Sequence, residues 1–460
     1  MRRRSCDFAR LLPVLAFAGL LAACGGDTDE TAGTVPIDAS EVGHALAAAA
    51  FGGDIVEVEA LLNTDGGAAI ATGDRATALF AAAQEGHGEI VAMLIGDTDL
   101  VDAQRSSDGV TALMMAAQYG HGRAVEALLE RGAAVDIQNV RGSAALFVAA
   151  QNGHEAVVHA LLANGALLNL TNDRGATPLI MAAHGGHRAV VAALVAAGAD
   201  IDLADGIGAS ALLMAAQDGH GPVVDILLAA GAVPDAPTNS GATALIMAAQ
   251  EGHAPVVETL LGGGARISHR AVNGVTALFA AARAGRGPVV DVLLAHGAPL
   301  EAPANDDYTP LFAAAQQGHA EIVASLLVKG ADPNVPLADG VGALSMAAQN
   351  GHDAVVAALL DGGAAVDYRS SGGVSALMIA SQDGHAGIVR ILLDHEADTD
   401  LQAANGVTAL MVAAQNSHEE IVRVLIDHGA DTALSASTGE TAADVSGTAR
   451  IREILDGALP

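Results

Sequence analysis

Gly109-Val110-Thr111-Ala112-Leu113-Met114-Met115-Ala116-Ala117-Gln118-Tyr119-Gly120-His121 decides the fold, because close copies of it recur along all 460 residues. Its opening glycine returns at Gly142, Gly175, Gly208, Gly241, Gly274, Gly340, Gly373, Gly406 and Gly439, a step of 33 interrupted only by Asp307. Its closing histidine keeps the step at His154, His187, His220, His253, His319, His352, His385 and His418, with Arg286 as the one substitute. A fixed period between about 20 and 50 residues marks a solenoid, in which one supersecondary unit stacks on copies of itself. One elongated array is therefore expected in place of the few globular domains that length alone would suggest.

Within a unit the residues spell a helix, a turn and a second helix. Thr111 can cap the first helix by accepting a free amide of its opening turn. Leu113, Met115, Ala116 and Ala117 leave almost no polar face before Gln118, so this helix should be buried between neighbours on both sides. Gly120 can end it in the left-handed conformation that side chains resist. Val125, Leu128 and Leu129 form the apolar stripe of the second helix, which Gly132 ends. Pro222, Pro255 and Pro288 fall just past the turn, where a missing amide costs nothing. Polar connectors such as Asp136–Gly142 suit hairpin-like loops. Seven Phe, three Tyr and no Trp leave a core of thin Ala, Leu, Val and Met layers.

The elements Gly-x-Thr-Ala-Leu, Ala-Ala-x-x-Gly-His and Leu-Leu-x-x-Gly-Ala-Asp recur in phase from about residue 43 to the end, and in this the chain resembles the ankyrin repeat family. The resemblance implies an all-α solenoid of stacked helix-turn-helix units with hairpin loops. Residues 43–74 read as an N-terminal cap, 75–438 as eleven full repeats and 439–460 as a polar C-terminal cap that shields the last apolar face. Leu46 and Leu79 are 33 apart but His87 and His121 are 34 apart, so one inserted residue near Asp97-Thr98-Asp99 should make that connection irregular. The family's Thr-Pro-Leu-His tetrad is Thr-Ala-Leu-Met or Thr-Ala-Leu-Phe here, with proline only at Pro178 and Pro310. Apolar packing should replace a hydrogen bond at those helix starts.

Residues 1–23 read as a secretory signal: Arg2, Arg3 and Arg4 precede a short apolar run from Leu11 to Leu21. Leu21-Ala22-Ala23-Cys24 resembles the lipobox of bacterial lipoproteins, which implies that Cys24 carries lipid and becomes the mature N-terminus; an ordinary signal peptide is the alternative. Residues 24–42 then form the lipid-bearing cysteine and a flexible acidic linker. Gly25 follows the cysteine where an aspartate would imply inner-membrane retention, so an outer-membrane anchor is expected in a Gram-negative cell. Cys6 leaves with the signal, so the exported body has no disulfide.

A net charge of −32, with Lys329 the only lysine, excludes nucleic acid and anionic lipid as electrostatic partners. Its plain reading is solubility of an apolar-rich array. Stacked helices lie about 8–10 Å apart, too far for histidines of successive units to share a zinc, so the histidine column should bond backbone groups of the turns. His154 and His159 are five apart and do not make a zinc-protease pair. No cofactor motif and no catalytic spacing occur, which argues for a non-catalytic chain.

Two candidate binding features remain. By the resemblance, the position after Ala-Ala lies on the concave face, and here it is Gln84, Gln118, Gln151, Gln217, Gln250, Gln316, Gln349, Gln382 and Gln415, broken by His184 and Arg283. The ladder reflects either duplication without a ligand or a partner that is itself repetitive. Arg266, His269, Arg270, Arg283 and Arg286 form a local cationic cluster, read either as a site for an acidic partner or as pairs with Glu251 and nearby aspartates. The expected function is a monomeric, membrane-anchored scaffold binding a protein partner in the bacterial envelope. The alternative is a cell-surface spacer without a specific ligand.

Overall fold

The computed structural model describes residues 39–63, 70–96, 100–304 and 307–457. The leader, Cys24, most of the linker and the insertion at 97–99 lie outside the described residues. Among the described residues, twenty-five helices follow one another without a strand, and isolated bridges such as Ala204 with Ser210 close the hairpins. First helices pack on first helices and second helices on second helices, giving two layers joined across each turn. None of these helices is long and apolar enough to cross a membrane.

The unit opening at Gly109 shows how the sequence builds this. Thr111 is extended (φ −94°, ψ 165°) and its hydroxyl accepts the Met114 amide at 3.2 Å, starting the helix Ala112–Tyr119. Ala112 through Ala117 are all buried, with Ala116 and Ala117 wholly so. Gly120 stops the helix at φ +77°. It must be glycine for a second reason: a Cβ there would stand 2.5 Å from Nδ1 of His154 in the next unit. The second helix, Gly122–Glu130, buries Ala124, Val125 and Leu128, each large aliphatic side chain contributing about 1.5–3 kcal/mol on burial. Where the family tetrad would have histidine, Met114, Phe147, Phe279, Phe312 and Met411 are buried, so apolar packing does replace that bond. Pro222, Pro255 and Pro288 occupy the first turns of their helices.

Departures from the period have local causes. Among the described residues, three other than glycine have positive φ, Asp307 (62°), Glu396 (63°) and Ser417 (65°), and each stands where the period calls for glycine. Ser417 is sterically tolerable because Gly447 of the cap, not an imidazole, lies against this turn. Arg75 stands where a hairpin glycine is due, and there the chain stays helical: the helix Thr72–Glu85 starts early and Thr77 lies inside it, donating its hydroxyl to the Gly73 carbonyl at 2.8 Å. Asp tolerates the left-handed conformation that Arg resists, which accounts for the different outcomes at 307 and 75. At the N-terminus a complete helix pair, Ala39–Gly52 and Ile55–Asn63, precedes that unit, and its first helix begins inside the stretch read as linker. Among the described residues, Thr243 is the one capping threonine whose hydroxyl, fully buried, has no partner.

Three sets of hydrogen bonds recur between units, and a fourth, from the side chains of Gln104, Gln138 and Gln402 in the hairpins, joins fewer of them. The hairpin amides of Val140, Asp173, Gly206, Asn239 and Val272 donate to carbonyls of the preceding hairpin at 2.7–3.0 Å. Carboxylates of Asp102, Asp136, Asp202, Asp235, Glu301, Asp367 and Asp400 each accept an amide of the following unit, at 2.8–3.1 Å. Asn169 and Asn334 do the same without charge. Part of the acidity therefore holds units together, beyond the solubility that composition suggests. The third set belongs to the histidine column.

Candidate functional site: the hairpin groove

Each ladder glutamine sits on the last turn of a first helix. Gln84, Gln118, Gln217 and Gln316 are half-buried, and Gln151, Gln250, Gln349, Gln382 and Gln415 are exposed. Most side-chain bonds they make are local, as when Gln84 donates to Glu85 and Gln250 to Glu251, both at 3.0 Å, while Gln316 reaches Sδ of Met346 in the next unit at 3.9 Å. Their main-chain carbonyls are what the fold uses. Nε2 of His121 reaches the Gln84 carbonyl at 2.7 Å, His154 that of Gln118 at 2.9 Å, His253 that of Gln217 at 3.0 Å and His418 that of Gln382 at 3.0 Å. A carbonyl can only accept, so Nε2 carries the proton. The acceptor is a backbone carbonyl at a turn, as the sequence suggested, and the turn is that of the preceding unit, so the bond joins adjacent units.

Three residues before the ladder runs a second column that the sequence reading passed over: Met115, Val148, Met181, Met214, Met247, Met346, Ile379 and Val412. All but Met115 are half-exposed, and the same position is alanine at Ala81, Ala280 and Ala313. The i, i+3 spacing puts each beside its glutamine. A soft apolar row and an amide row thus run side by side along the first-helix layer, facing the hairpins. Its signal in the sequence was the persistence of an apolar residue where a fully buried helix needs only alanine.

At one rung both rows change. In the helix Ala277–Ala284 the apolar row has Ala280, the ladder has Arg283 and the next residue is Ala284. Against the hairpin this leaves a hollow of about 430 Å³, lined among others by Met247, Gln250, Val275, Phe279, Ala280 and Arg283. Beyond it Phe279, Ala304 and Ala313 form a small separate core beside Tyr308, whose ring meets Phe312 edge-on at 4.9 Å.

The cationic cluster divides in function here. Arg286 takes the histidine's place and its bond, donating Nε to the Gln250 carbonyl at 2.9 Å, while its stem covers Gly252 as the imidazole covers Gly120. Arg270 donates Nη2 to the Pro303 carbonyl, the crossing that Gln138 makes to Thr171 and Gln402 to Ser435. Arg266 pairs with Asp235 at 2.9 Å, and His269 reaches the Gly241 carbonyl at 2.9 Å. Arg283 is exposed, lines the hollow and has no ion-pair or hydrogen-bond partner among the described residues.

The other break in the ladder has its own partner. His184 Nδ1 lies 2.7 Å from Oδ2 of Asp218 in the next unit, and that hydrogen bond holds the imidazole pKa above its ordinary value. Among the described residues no three side chains of His, Cys, Asp or Glu come together as a metal site. No curated protein matches the sequence. The family described as "Ankyrin repeats (3 copies)" matches residues 45–139, 113–205, 198–271, 264–336 and 339–442, most of the array. The chain belongs to the ankyrin repeat family.

Proposed function

We propose that this chain is a non-catalytic, monomeric scaffold that binds a protein partner along the hairpin groove while lipid on Cys24 holds it in a bacterial envelope. Ankyrin repeats generally mediate protein–protein interaction. The observation that carries the reading is the paired apolar and amide rows, a long half-exposed strip of the kind a protein surface covers. Methionines adapt their shape to a partner, and the glutamines can meet its backbone donors and acceptors. The lipobox resemblance at Leu21–Cys24 supports the anchor, and Gly25 supports the outer membrane.

Affinity capture from envelope extract tests the binding. A stoichiometric partner should come down with the natural chain and be lost when Gln217, Gln250 and Gln316 are changed together to Arg. A second reading, a spacer without a ligand, is favoured by the uniformity of the ladder and requires that no partner be captured. For the anchor, an alkyne fatty acid fed to the cells should label the natural chain but not Cys24→Ala; equal labelling of both would refute it.

A further inference from the structure

We propose that the hollow between the first helices Ala244–Glu251 and Ala277–Ala284 receives a bulky apolar side chain of the partner, whose neighbouring carboxylate pairs with Arg283. This rests on the groove being the binding surface, and it specifies the partner's chemistry.

Three observations converge on one rung. The apolar row has alanine at Ala280, as it does at Ala81 and Ala313, but only here is the ladder glutamine also replaced, and the residue after the ladder, Glu251 one unit earlier, becomes Ala284. These truncations leave the hollow of about 430 Å³ floored by Phe279 and Met247, within the range of sites that hold a small apolar group. At its rim Arg283 has no anion paired with it among the described residues, and the three neighbouring arginines are already committed to Asp235, the Pro303 carbonyl and the Gln250 carbonyl. A planar guanidinium held free beside an apolar hollow suits a carboxylate next to an apolar anchor. Charge sharpens the selection. The net field of a −32 chain disfavours acidic segments, so a carboxylate in the groove is favoured at the rung where Arg283 stands beside the hollow. At the adjoining hairpin tip, Val272 is 79 % exposed and extends the apolar surface beyond the hollow.

The test pans random peptides displayed on phage against the full chain. Enriched sequences should carry Phe, Leu or Met directly beside Asp or Glu. Ala280→Met, which installs the side chain found at Met115, Met181, Met214, Met247 and Met346, should weaken those peptides about tenfold by filling the hollow. Arg283→Gln should weaken them about 2–5-fold, as befits an exposed pair, and abolish the preference for the acid. Circular dichroism of both variants confirms that they remain folded. Peptides that bind both variants as tightly as the natural chain would overturn the assignment. If those same peptides are lost on Gln316→Arg or Gln349→Arg, groove recognition survives while the hollow fails. A consensus without an acid, or no enriched peptide at all, also overturns it, and envelope capture then decides groove recognition separately.

Discussion

The units opening at Gly109 and Gly274 place different residues on the same three positions. Met115, Gln118 and His121 in the first become Ala280, Arg283 and Arg286 in the second. One of the three changes is silent, because Arg286 makes the inter-unit bond and covers the turn glycine as a histidine would. The other two alter the surface, one by opening a hollow and one by setting a free cation at its edge. In a repeat protein, then, a departure from the consensus becomes a functional candidate only after its structural duty has been checked.

Packing gives the largest expected contrast. Ala117→Leu forces a side chain into a wholly buried contact between helices and should cost about 1–3 kcal/mol, whereas Ala280→Leu faces the hollow and should cost less than about 0.5 kcal/mol. Urea unfolding of the two variants compares them; equal losses would mean that the two alanines do not differ as described. Next comes the silent substitution. Arg286→Ala should lose about 1 kcal/mol with its bond, and Arg286→His should keep that stability. If His were as damaging as Ala, the equivalence drawn above would be wrong. Ser417→Gly should be of similar size but opposite sign, gaining about 1 kcal/mol by relieving a left-handed residue in a turn that no imidazole covers. An unchanged midpoint would show that the turn has relaxed.

The smallest effect concerns the second break in the ladder, His184. Its raised pKa means that the folded state holds the imidazolium more strongly than the unfolded state does. The pair's contribution is therefore complete below the ordinary histidine value and fades as pH rises through the raised one. Unfolding midpoints of the natural chain and His184→Gln should differ at about pH 5 and converge by about pH 8. A difference that grows with pH would contradict the pairing with Asp218.

The architecture was readable from the chain because a period of 33 survives any error in a single unit. Thr111, Gly120 and Gly132 act as their residue types suggest. What escaped was contact across units. The sequence shows a histidine column but not that its acceptor is a main-chain carbonyl of the preceding unit, for His154 that of Gln118, 36 residues earlier, since every residue carries the same carbonyl. Asp136 and Asp235 read as surface charge because nothing in their own unit marks the amide they receive from the next. Arg283 could be singled out as a ladder break, but the hollow beside it depends on Ala280 and the hairpin together. Arg270 and Arg286 looked like its companions because proximity in sequence says nothing about which guanidinium is already engaged.

Photocrosslinking from two positions would test the groove most directly. A photoreactive residue replacing Gln250, in the groove, and another replacing the exposed Ala295, on the second-helix layer, would be compared in cells of a bacterial host that makes the natural partner. A groove-binding scaffold yields one dominant crosslinked protein from position 250, lost in the Gln217→Arg, Gln316→Arg background, and none from position 295. The same products from both positions, or none from position 250, would contradict the groove as the working surface.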